Sequence, residues 1–219
     1  MEKYLKILQI CPLFDGIDPQ DLMRILSCLG ARVLFFDKKY TIFAKGISAK
    51  YIGILLSGSA HIIRDDYYGN RSVITKVEIG ELFGEDFACA ELDAIPLSVI
   101  ADEPSEVMLI ECNHILHTCH NNCGFHQQLI FNLMKNLAIK SLAFHQKAEI
   151  LSARTTRDKL LSYLDFQAKR NHSNRFTIPF DRQELADYLE VDRSGLSAEI
   201  SKLRREEILK SRKNEFELL

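Results

Sequence analysis

The stretch from Asp181 to Glu207 constrains the fold most, because it reads as two short helices separated by about four residues. Its apolar residues recur at helical spacing, as Leu185, Ala186 and Leu189 in the first helix and Leu196, Ile200 and Leu203 in the second. This spacing places each set on one face of its helix, with Val191 in the turn between them. The pattern therefore predicts two short helices, each with a narrow apolar stripe.

Polar residues at the two predicted helix starts support this interpretation. Asp181 can cap the first helix, with Glu184 three residues later as in a capping box, and Asp192 can cap the second helix. Two such helices joined by a short turn resemble the helix-turn-helix, whose second helix enters the major groove of DNA. The alternative is a plain helical hairpin of some other domain, because patterns this short also occur by chance.

The composition is that of a globular protein with one large domain or two ordinary ones. The 219 residues are 47% hydrophobic and 26% charged. No apolar run approaches the ~20 residues of a membrane span, and the N-terminus lacks a signal-peptide pattern. We therefore expect no membrane partner and a cytoplasmic location, where the six cysteines are thiols or ligands rather than disulfides.

Charge is divided unevenly along the chain. Residues 1–150 contain 14 Lys and Arg against 18 Asp and Glu, whereas residues 151–219 contain 14 against 12. This difference in sign fits a basic DNA-binding module attached to an acidic sensor.

From Ala31 to Cys112 the pattern is one of short strands separated by glycine-containing turns, such as Tyr68–Asn70. Candidate strands are Arg32–Phe36, Thr41–Ala44, Tyr51–Leu56, Ala60–Arg64, Ser72–Glu78, Leu97–Ala101 and Glu106–Ile110. Many short strands at near-regular spacing predict an all-β roll or barrel. An amphipathic helix, Pro19–Leu29, is predicted before it.

A long helix is predicted from Phe125 to about Leu151, after Gly124. Its apolar residues follow at steps of three or four, as Ile130, Leu133, Leu137, Ser141, Phe144, Ala148 and Leu151, and Leu129, Met134 and Leu142 widen this stripe. A helix with more than one apolar edge can be buried by its own roll together with a second copy of itself. The alternative is a single long core helix.

The C-terminal third completes a winged helix-turn-helix. A helix at Thr155–Lys169 and a strand at Phe176–Phe180 precede the two short helices, and Ile208–Ser211 can pair with Glu215–Leu218 as a hairpin. We therefore expect an α+β chain of three parts. They are a sensor domain at residues 1–123, a dimerisation helix at 124–152 and a winged helix-turn-helix domain at 153–219.

This order of elements, with the motifs at Gly80–Glu85, Arg154–Leu161 and Arg182–Leu189, resembles the Crp/Fnr family of bacterial transcriptional regulators. The resemblance covers essentially the whole chain, and the helix-turn-helix run is its most specific part. It implies a homodimer with a cyclic-nucleotide-binding-like sensor that binds a two-fold-symmetric DNA operator and contacts RNA polymerase.

The resemblance also implies which residues contact DNA, namely Arg182, Gln183, Arg193, Ser194, Ser197 and Lys202. Arg193 can donate two parallel hydrogen bonds to guanine, while Gln183 occupies a position that holds phosphate. Ala198 stands where many relatives carry a base-reading arginine, and Gly195 costs the second helix about 1 kcal/mol relative to alanine. Either the operator differs from the familiar ones or the affinity for bases is modest.

The expected effector pocket lies between the roll and the long helix, near Gly84, Glu85, Leu97, Ser98 and Phe125. In nucleotide-binding relatives, a glutamate at the position of Glu85 takes the ribose hydroxyl and an arginine neutralises the cyclic phosphate. Leu97 stands at the position of that arginine, and a buried phosphate without a cationic partner costs several kcal/mol. We therefore expect a small organic effector other than cyclic AMP. The alternative for Glu85 is a purely structural hydrogen-bonding role at a turn of the roll.

The segment Cys112–His126 contains three of the six cysteines and four of the seven histidines. Such density could bind zinc, haem or an iron-sulfur cluster, or act as a redox switch, but the spacing matches no standard signature. The other interpretation is that these residues pack the junction between roll and long helix, and it leads us to expect no bound metal.

Two functions other than an effector-controlled regulator remain open: a redox, metal or haem sensor that uses this segment, and a sensor module that acts through protein contact without DNA. An enzyme is not expected, because no paired general acid and base lies beside the segment.

Overall fold

The computed structural model describes residues 2–65, 71–117 and 124–219 and divides into two compact units, residues 1–139 and 140–219. Each unit has a hydrophobic core of its own. The predicted α+β architecture of β-roll, long helix and winged helix-turn-helix is confirmed.

Two antiparallel four-stranded sheets form the roll, with strand orders β1-β8-β3-β6 and β2-β7-β4-β5. The strands are β1 (Arg32–Phe36), β2 (Thr41–Phe43), β3 (Tyr51–Ser57), β4 (Ala60–Asp65), β5 (Arg71–Val77), β6 (Leu82–Phe83), β7 (Ser98–Ala101) and β8 (Ser105–Glu111). The sequence-based prediction omits β6, which has only two residues. The predicted turn at Tyr68–Asn70 lies outside the described residues.

Strand β3 is buried on both of its faces, which explains its nearly continuous apolar sequence. Ile52 and Ile54 face a cluster that includes the helices, whereas Leu55 belongs to the cluster inside the roll. Gly53 is required because a Cβ atom there would come within 2.2 Å of Cζ of Phe83. The strand therefore connects the two parts of the first unit's core.

Helices cover the outer face of the β1-β8-β3-β6 sheet. They are α1 (Leu5–Ile10), α2 (Pro19–Cys28), α3 (Glu85–Cys89), α4 (Cys112–Leu116) and α5 (Phe125–Ser152). Of these, α1, α3 and α4 were not predicted, since each is only five or six residues long and shows no full helical period. The division between the two units falls inside α5.

One buried amide attaches α5 to the N-terminal segment. The side chain of Asn132 donates hydrogen bonds to the carbonyl oxygens of Leu13, at 2.9 Å, and Asp15, at 2.7 Å. Lys135, one turn further, forms an ion pair with Asp15 at 3.2 Å. These contacts fix the rotation of α5 about its axis in the first unit.

That rotation determines which edge of α5 stays exposed. Leu133 is buried against the roll and Leu137 packs partly against it, so this part of the predicted stripe faces the protein's own core. The exposed apolar side chains are instead Phe131, Met134 and Ile139 in the first unit and Leu142 and Phe144 in the second. Met134 and Leu142, predicted only to widen the stripe, thus belong to the uncovered side.

The second unit consists of helices packed against a small three-stranded sheet of order β10-β11-β9. Its elements are the end of α5, α6 (Thr156–Asn171), β9 (Arg175–Thr177), α7 (Arg182–Leu189), α8 (Arg193–Arg205), β10 (Leu209–Arg212) and β11 (Glu215–Leu218). The strand β9 ends before the predicted Phe180, because Pro179 has no backbone N–H to continue a ladder.

Candidate nucleic-acid interface and sensor site

The start of α7 is fixed by a reciprocal capping box. Oδ1 of Asp181 accepts hydrogen bonds from the backbone N–H groups of Gln183, at 2.7 Å, and Glu184, at 2.8 Å. In return, Oε2 of Glu184 accepts from the backbone N–H of Asp181 at 2.7 Å. These bonds satisfy backbone donors that the first helical turn leaves without a partner.

The turn between α7 and α8 places the second helix. Glu190 ends α7 in the left-handed region with φ of 51°, and the N–H of Val191 donates to the carbonyl oxygen of Ala186 at 3.0 Å. Asp192 then caps α8 by accepting from the backbone N–H of Gly195 at 2.8 Å and from the hydroxyl of Ser194. Both helix starts therefore follow the prediction.

One side of α8 is buried and the other is exposed. Leu196, Ile200 and Leu203 pack into the core of the second unit. The exposed side chains of α8 include Arg193, Ser194, Ala198, Ser201, Lys202, Arg204 and Arg205, and Ser197 is half-buried beside them. The prediction omitted Ser201, although its spacing of seven residues from Ser194 places it on the same face.

Arg157 of α6 forms ion pairs with an acid in α8 and with another just after it. Its guanidinium lies 3.2 Å from Oε1 of Glu199 and 2.6 Å from Oε2 of Glu206. Glu206 follows directly after α8, and Glu199 is the only acid within that helix. The exposed side of α8 consequently carries cationic and hydroxyl groups, the groups that bind phosphates and base edges.

An open groove of about 540 Å³ runs between the start of α7, the start of α8 and the wing. It is lined by Pro179, Phe180, Asp181, Arg182, Gln183, Glu184, Arg193, Lys213 and Asn214. Lys213 lies in the turn of the β10–β11 hairpin, with φ of 54°. The groove therefore brings together cationic side chains from three separate elements.

Besides Ser194, two further predicted DNA-contacting residues make contacts within the protein. Arg182 is half-buried, donates to the carbonyl oxygen of Lys213 at 3.3 Å and lies over the ring of Phe216 at 5.7 Å. Burial lowers the pKa of this arginine below its ordinary value. The side chain of Gln183 donates to Asp187 at 2.9 Å. Arg182 thus connects α7 to the wing, whereas Arg193 and Lys202 are exposed.

In the sensor, Gly84 and Glu85 lie at the start of α3. Gly84 has φ of 77°, and a Cβ atom there would come within 2.7 Å of the ring of Phe43. Glu85 is 1% exposed, and its Oε1 accepts a hydrogen bond from the side-chain amide of Asn136 at 3.0 Å. The acid expected near an effector is therefore in direct contact with α5.

The other predicted effector residues are distributed around the roll. Ser98 begins β7, and its hydroxyl accepts from the backbone N–H of Lys45 at 3.0 Å, while Leu97 is half-buried just before it. Phe125 is half-buried at the start of α5, eleven residues before Asn136 and thus about 16 Å along the helix from the Glu85 contact. The structure brings Phe125 to the helix-covered core rather than to Glu85.

No lysine or arginine is buried among the residues of the roll that the structure describes.

The histidines of the Cys112–His126 segment bond to main-chain oxygens wherever they are described. A ring nitrogen of His114 lies 2.9 Å from the carbonyl oxygen of Leu29, and one of His117 lies 3.1 Å from that of Asn113. A ring nitrogen of His126 lies 3.1 Å from the carbonyl oxygen of His114. Cys119, His120 and Cys123 lie outside the described residues. Within the described ranges, no group of three potential metal ligands occurs.

Two family models match the chain. A cyclic nucleotide-binding domain model matches residues 33–122, and a Crp-like helix-turn-helix domain model matches residues 158–219. No curated protein sequence matches significantly. In the described part of the chain, no helix is long and apolar enough to cross a membrane.

Solved structures share this fold at low sequence identity. The c-di-GMP responsive global regulator CLP of Xanthomonas campestris is 19% identical, with 92% of this chain and 99% of that chain covered and a TM-score of 0.62. DNR of Pseudomonas aeruginosa is 21% identical, with 100% and 95% covered and a TM-score of 0.51. The catabolite activator protein of Thermus thermophilus is 20% identical, with 95% and 93% covered and a TM-score of 0.50. At these identities the likeness concerns the fold alone.

Proposed function

The chain belongs to the Crp/Fnr family of DNA-binding transcriptional regulators, and we propose that it acts as a homodimer whose binding to a two-fold-symmetric operator is controlled by a small molecule in the roll. The family and fold are those of regulators rather than enzymes. Activation or repression of transcription would follow from contact with RNA polymerase.

The observation that carries this proposal is the charge distribution on α8. Arg157 forms ion pairs with Glu199, which is half-buried in α8, and with Glu206 just after it, while Arg193 and Lys202 are exposed on the helix. A helix with a cationic and hydroxyl-bearing outer side fits the major groove, where arginine reads guanine and lysine contacts phosphate. We assign base reading to Arg193, Ser194 and Ser197, with Ser201 on the same side, and phosphate contact to Lys202.

The contacts of Gln183 and Arg182 assign them a supporting role. The backbone N–H of Gln183 donates a hydrogen bond to the side chain of Asp181, and the side chain of Arg182 donates one to the carbonyl oxygen of Lys213 in the wing turn. Lys213 itself is exposed and lines the groove at the start of α7. We therefore assign the phosphate contact at this end of the interface to Lys213, with Arg182 positioning the wing.

Self-association through α5 is supported by its exposed apolar edge. Phe131 and Met134 are 55% and 58% exposed, and Leu142 is 70% exposed. Within the first unit, Phe131, Met134 and exposed Ala138 follow each other at steps of three and four, the spacing of a coiled-coil seam. A second copy of the helix offers the matching surface, and a dimer would present two copies of α8 to half-sites about 34 Å apart.

Control by an effector in the roll is supported by the contact between Glu85 and Asn136. A ligand that forms a hydrogen bond with Glu85 would compete with the side-chain amide of Asn136. Ligand binding would therefore change a contact of α5, the proposed dimer helix. We propose a small organic molecule without a phosphate as the effector, because Leu97 stands where phosphate-binding relatives carry an arginine.

The test is selection of bound duplexes from a random pool, followed by titration of the selected sequence at several salt concentrations. We expect a palindrome with half-site centres about 10 base pairs apart and an affinity that falls steeply with salt. Recovery of sequences without symmetry, or binding that is insensitive to salt, would contradict the proposal.

A further inference from the structure

Two cysteines that are distant in sequence lie side by side in the roll unit. Sγ of Cys89 is 3.5 Å from Sγ of Cys112. Cys89 is the last residue of α3 and Cys112 is the first residue of α4, where its backbone N–H is fixed by a 2.9 Å hydrogen bond to the carbonyl oxygen of Lys50. Both are reduced thiols.

The two thiols are not equivalent. Cys112 is 3% exposed, whereas Cys89 is half-buried. A hydrogen bond from the Cys112 thiol lowers the pKa of Cys89, and the same contact together with burial raises the pKa of Cys112. The half-buried sulfur is therefore the one that becomes a thiolate first, with the buried thiol as its donor.

The other described cysteines lack these features. Cys11 is 1% exposed, and burial raises its pKa to about 12, which keeps it protonated and unreactive. Cys28 is exposed, and the contact between the sulfur atoms of Cys89 and Cys112 involves neither Cys11 nor Cys28.

A groove of about 340 Å³ opens beside Cys112. The groove is lined by Ser48, Ala49, Lys50, Ala88, Glu91, Glu111, Cys112 and Asn113. Cys89 does not line this groove, but its side chain is only half-buried, so a molecule as small as hydrogen peroxide can reach it from solvent.

We propose that Cys89 and Cys112 are an oxidisable dithiol that a peroxide converts to an intrachain disulfide. The Cys89 thiolate attacks one peroxide oxygen, the O–O bond breaks, and the released hydroxide takes up a proton to become water. The Cys112 sulfur then attacks the resulting Cys89 sulfenic acid, the S–O bond breaks, and a second water leaves. In total, two thiols and one hydrogen peroxide give one disulfide and two waters.

The sulfur atoms need to move closer by about 1.5 Å to reach the disulfide bond length. Such a bond would join α3, which begins at Glu85, to α4. Formation of this disulfide does not depend on DNA binding, so this proposal and the proposed function can fail separately.

The experiment uses the full chain with Cys119→Ser and Cys123→Ser, reduced and then treated with one to ten equivalents of hydrogen peroxide. Trypsin would leave both sulfurs in one peptide, because no lysine or arginine lies between Lys76 and Lys135. A glutamate-specific protease separates them at Glu91 and Glu111. We expect mass spectrometry to find the two peptides linked, with two thiols lost per chain and restored by a reductant.

Single variants test the order of the two steps. In the Cys112→Ser variant, dimedone should label a sulfenic acid at Cys89, whereas the Cys89→Ser variant should show no label at Cys112. Cys28→Ser is the matched control and should leave the linked peptide unchanged. Intact thiols at Cys89 and Cys112 after peroxide, or a disulfide that uses Cys11, Cys28 or a second chain instead, would overturn the proposal.

Discussion

The side-chain amide of Asn136 donates a hydrogen bond to Oε1 of Glu85 across 3.0 Å, and both side chains are buried. The contact joins α5 to the segment that follows β6, 51 residues earlier in the chain. A buried carboxylate costs free energy when a hydrogen-bond donor is removed from it, so this hydrogen bond couples the position of α3 to that of α5.

Asn136→Ala should destabilise the roll unit by about 1 to 3 kcal/mol, because it removes a donor from a buried carboxylate. Urea unfolding followed by fluorescence or circular dichroism measures the loss. Combined with Glu85→Gln, the two changes should be non-additive by at least about 0.5 kcal/mol. Strict additivity would show that the two side chains do not interact energetically.

Arg193→Ala should cost about 1 to 3 kcal/mol in binding to the selected operator and much less on random DNA, since it removes a contact to a base edge. Fluorescence anisotropy with both duplexes provides the comparison. Lys169→Ala, which removes the same charge from an exposed position on α6, serves as the control and should leave both affinities nearly unchanged. Equal losses on the two duplexes for Arg193→Ala would mean that this residue contacts phosphate alone.

Met134→Glu should raise the dimer dissociation constant at least a hundredfold, because placing a carboxylate in an apolar seam costs about 3 kcal/mol. Sedimentation equilibrium at micromolar concentration measures it. Ala143→Glu adds the same charge nine residues away, about two and a half turns and hence on the opposite side of the helix, and should leave the dimer intact. If the wild-type protein is a monomer in this assay, the proposal of a dimer is wrong.

Cyclic AMP and cyclic GMP should not shift the melting temperature, because Leu97 cannot neutralise a phosphate. A ligand at 100 times its dissociation constant would add about 2.7 kcal/mol of stability, which differential scanning fluorimetry detects readily. Such a shift with either nucleotide would refute the inference drawn from Leu97.

Arg182→Ala should destabilise the second unit by about 1 kcal/mol, since it removes both the hydrogen bond to the wing turn and the contact over Phe216. DNA affinity should fall equally for operator and random sequences, because the wing is displaced while α8 is unchanged. Arg182→Lys keeps the charge without the planar guanidinium, so it should recover only part of the stability. Full recovery by lysine would show that charge alone matters at this position.

Much of the second unit could be predicted from sequence because its signals are local. Asp181, Glu184 and Asp192 are capping residues at fixed offsets, and the apolar residues of α7 and α8 recur within two turns. The strands of the roll could also be predicted from local signals, namely short apolar runs between glycines.

The remaining features depend on contacts between distant parts of the chain. Helices α3 and α4 are too short to show a period, and the roll brings their cysteines together across 23 residues. On α5 both edges are apolar, so periodicity alone could not decide that Leu133 would face the protein's own core and Met134 would remain exposed. Nor could it reveal that Arg182 would contact the wing.

The placement of Arg157 has a further consequence for the speed of operator search. With Glu199 and Glu206 paired to Arg157 of α6, the exposed cations Arg193 and Lys202 of α8 should attract the phosphates of a duplex before contact. An approaching duplex should therefore be oriented at a distance of about a Debye length, and the association rate constant should fall as the ionic strength rises. Loss of the Arg157 guanidinium would release two carboxylates toward the duplex and slow the encounter, even though no residue in contact with DNA had changed.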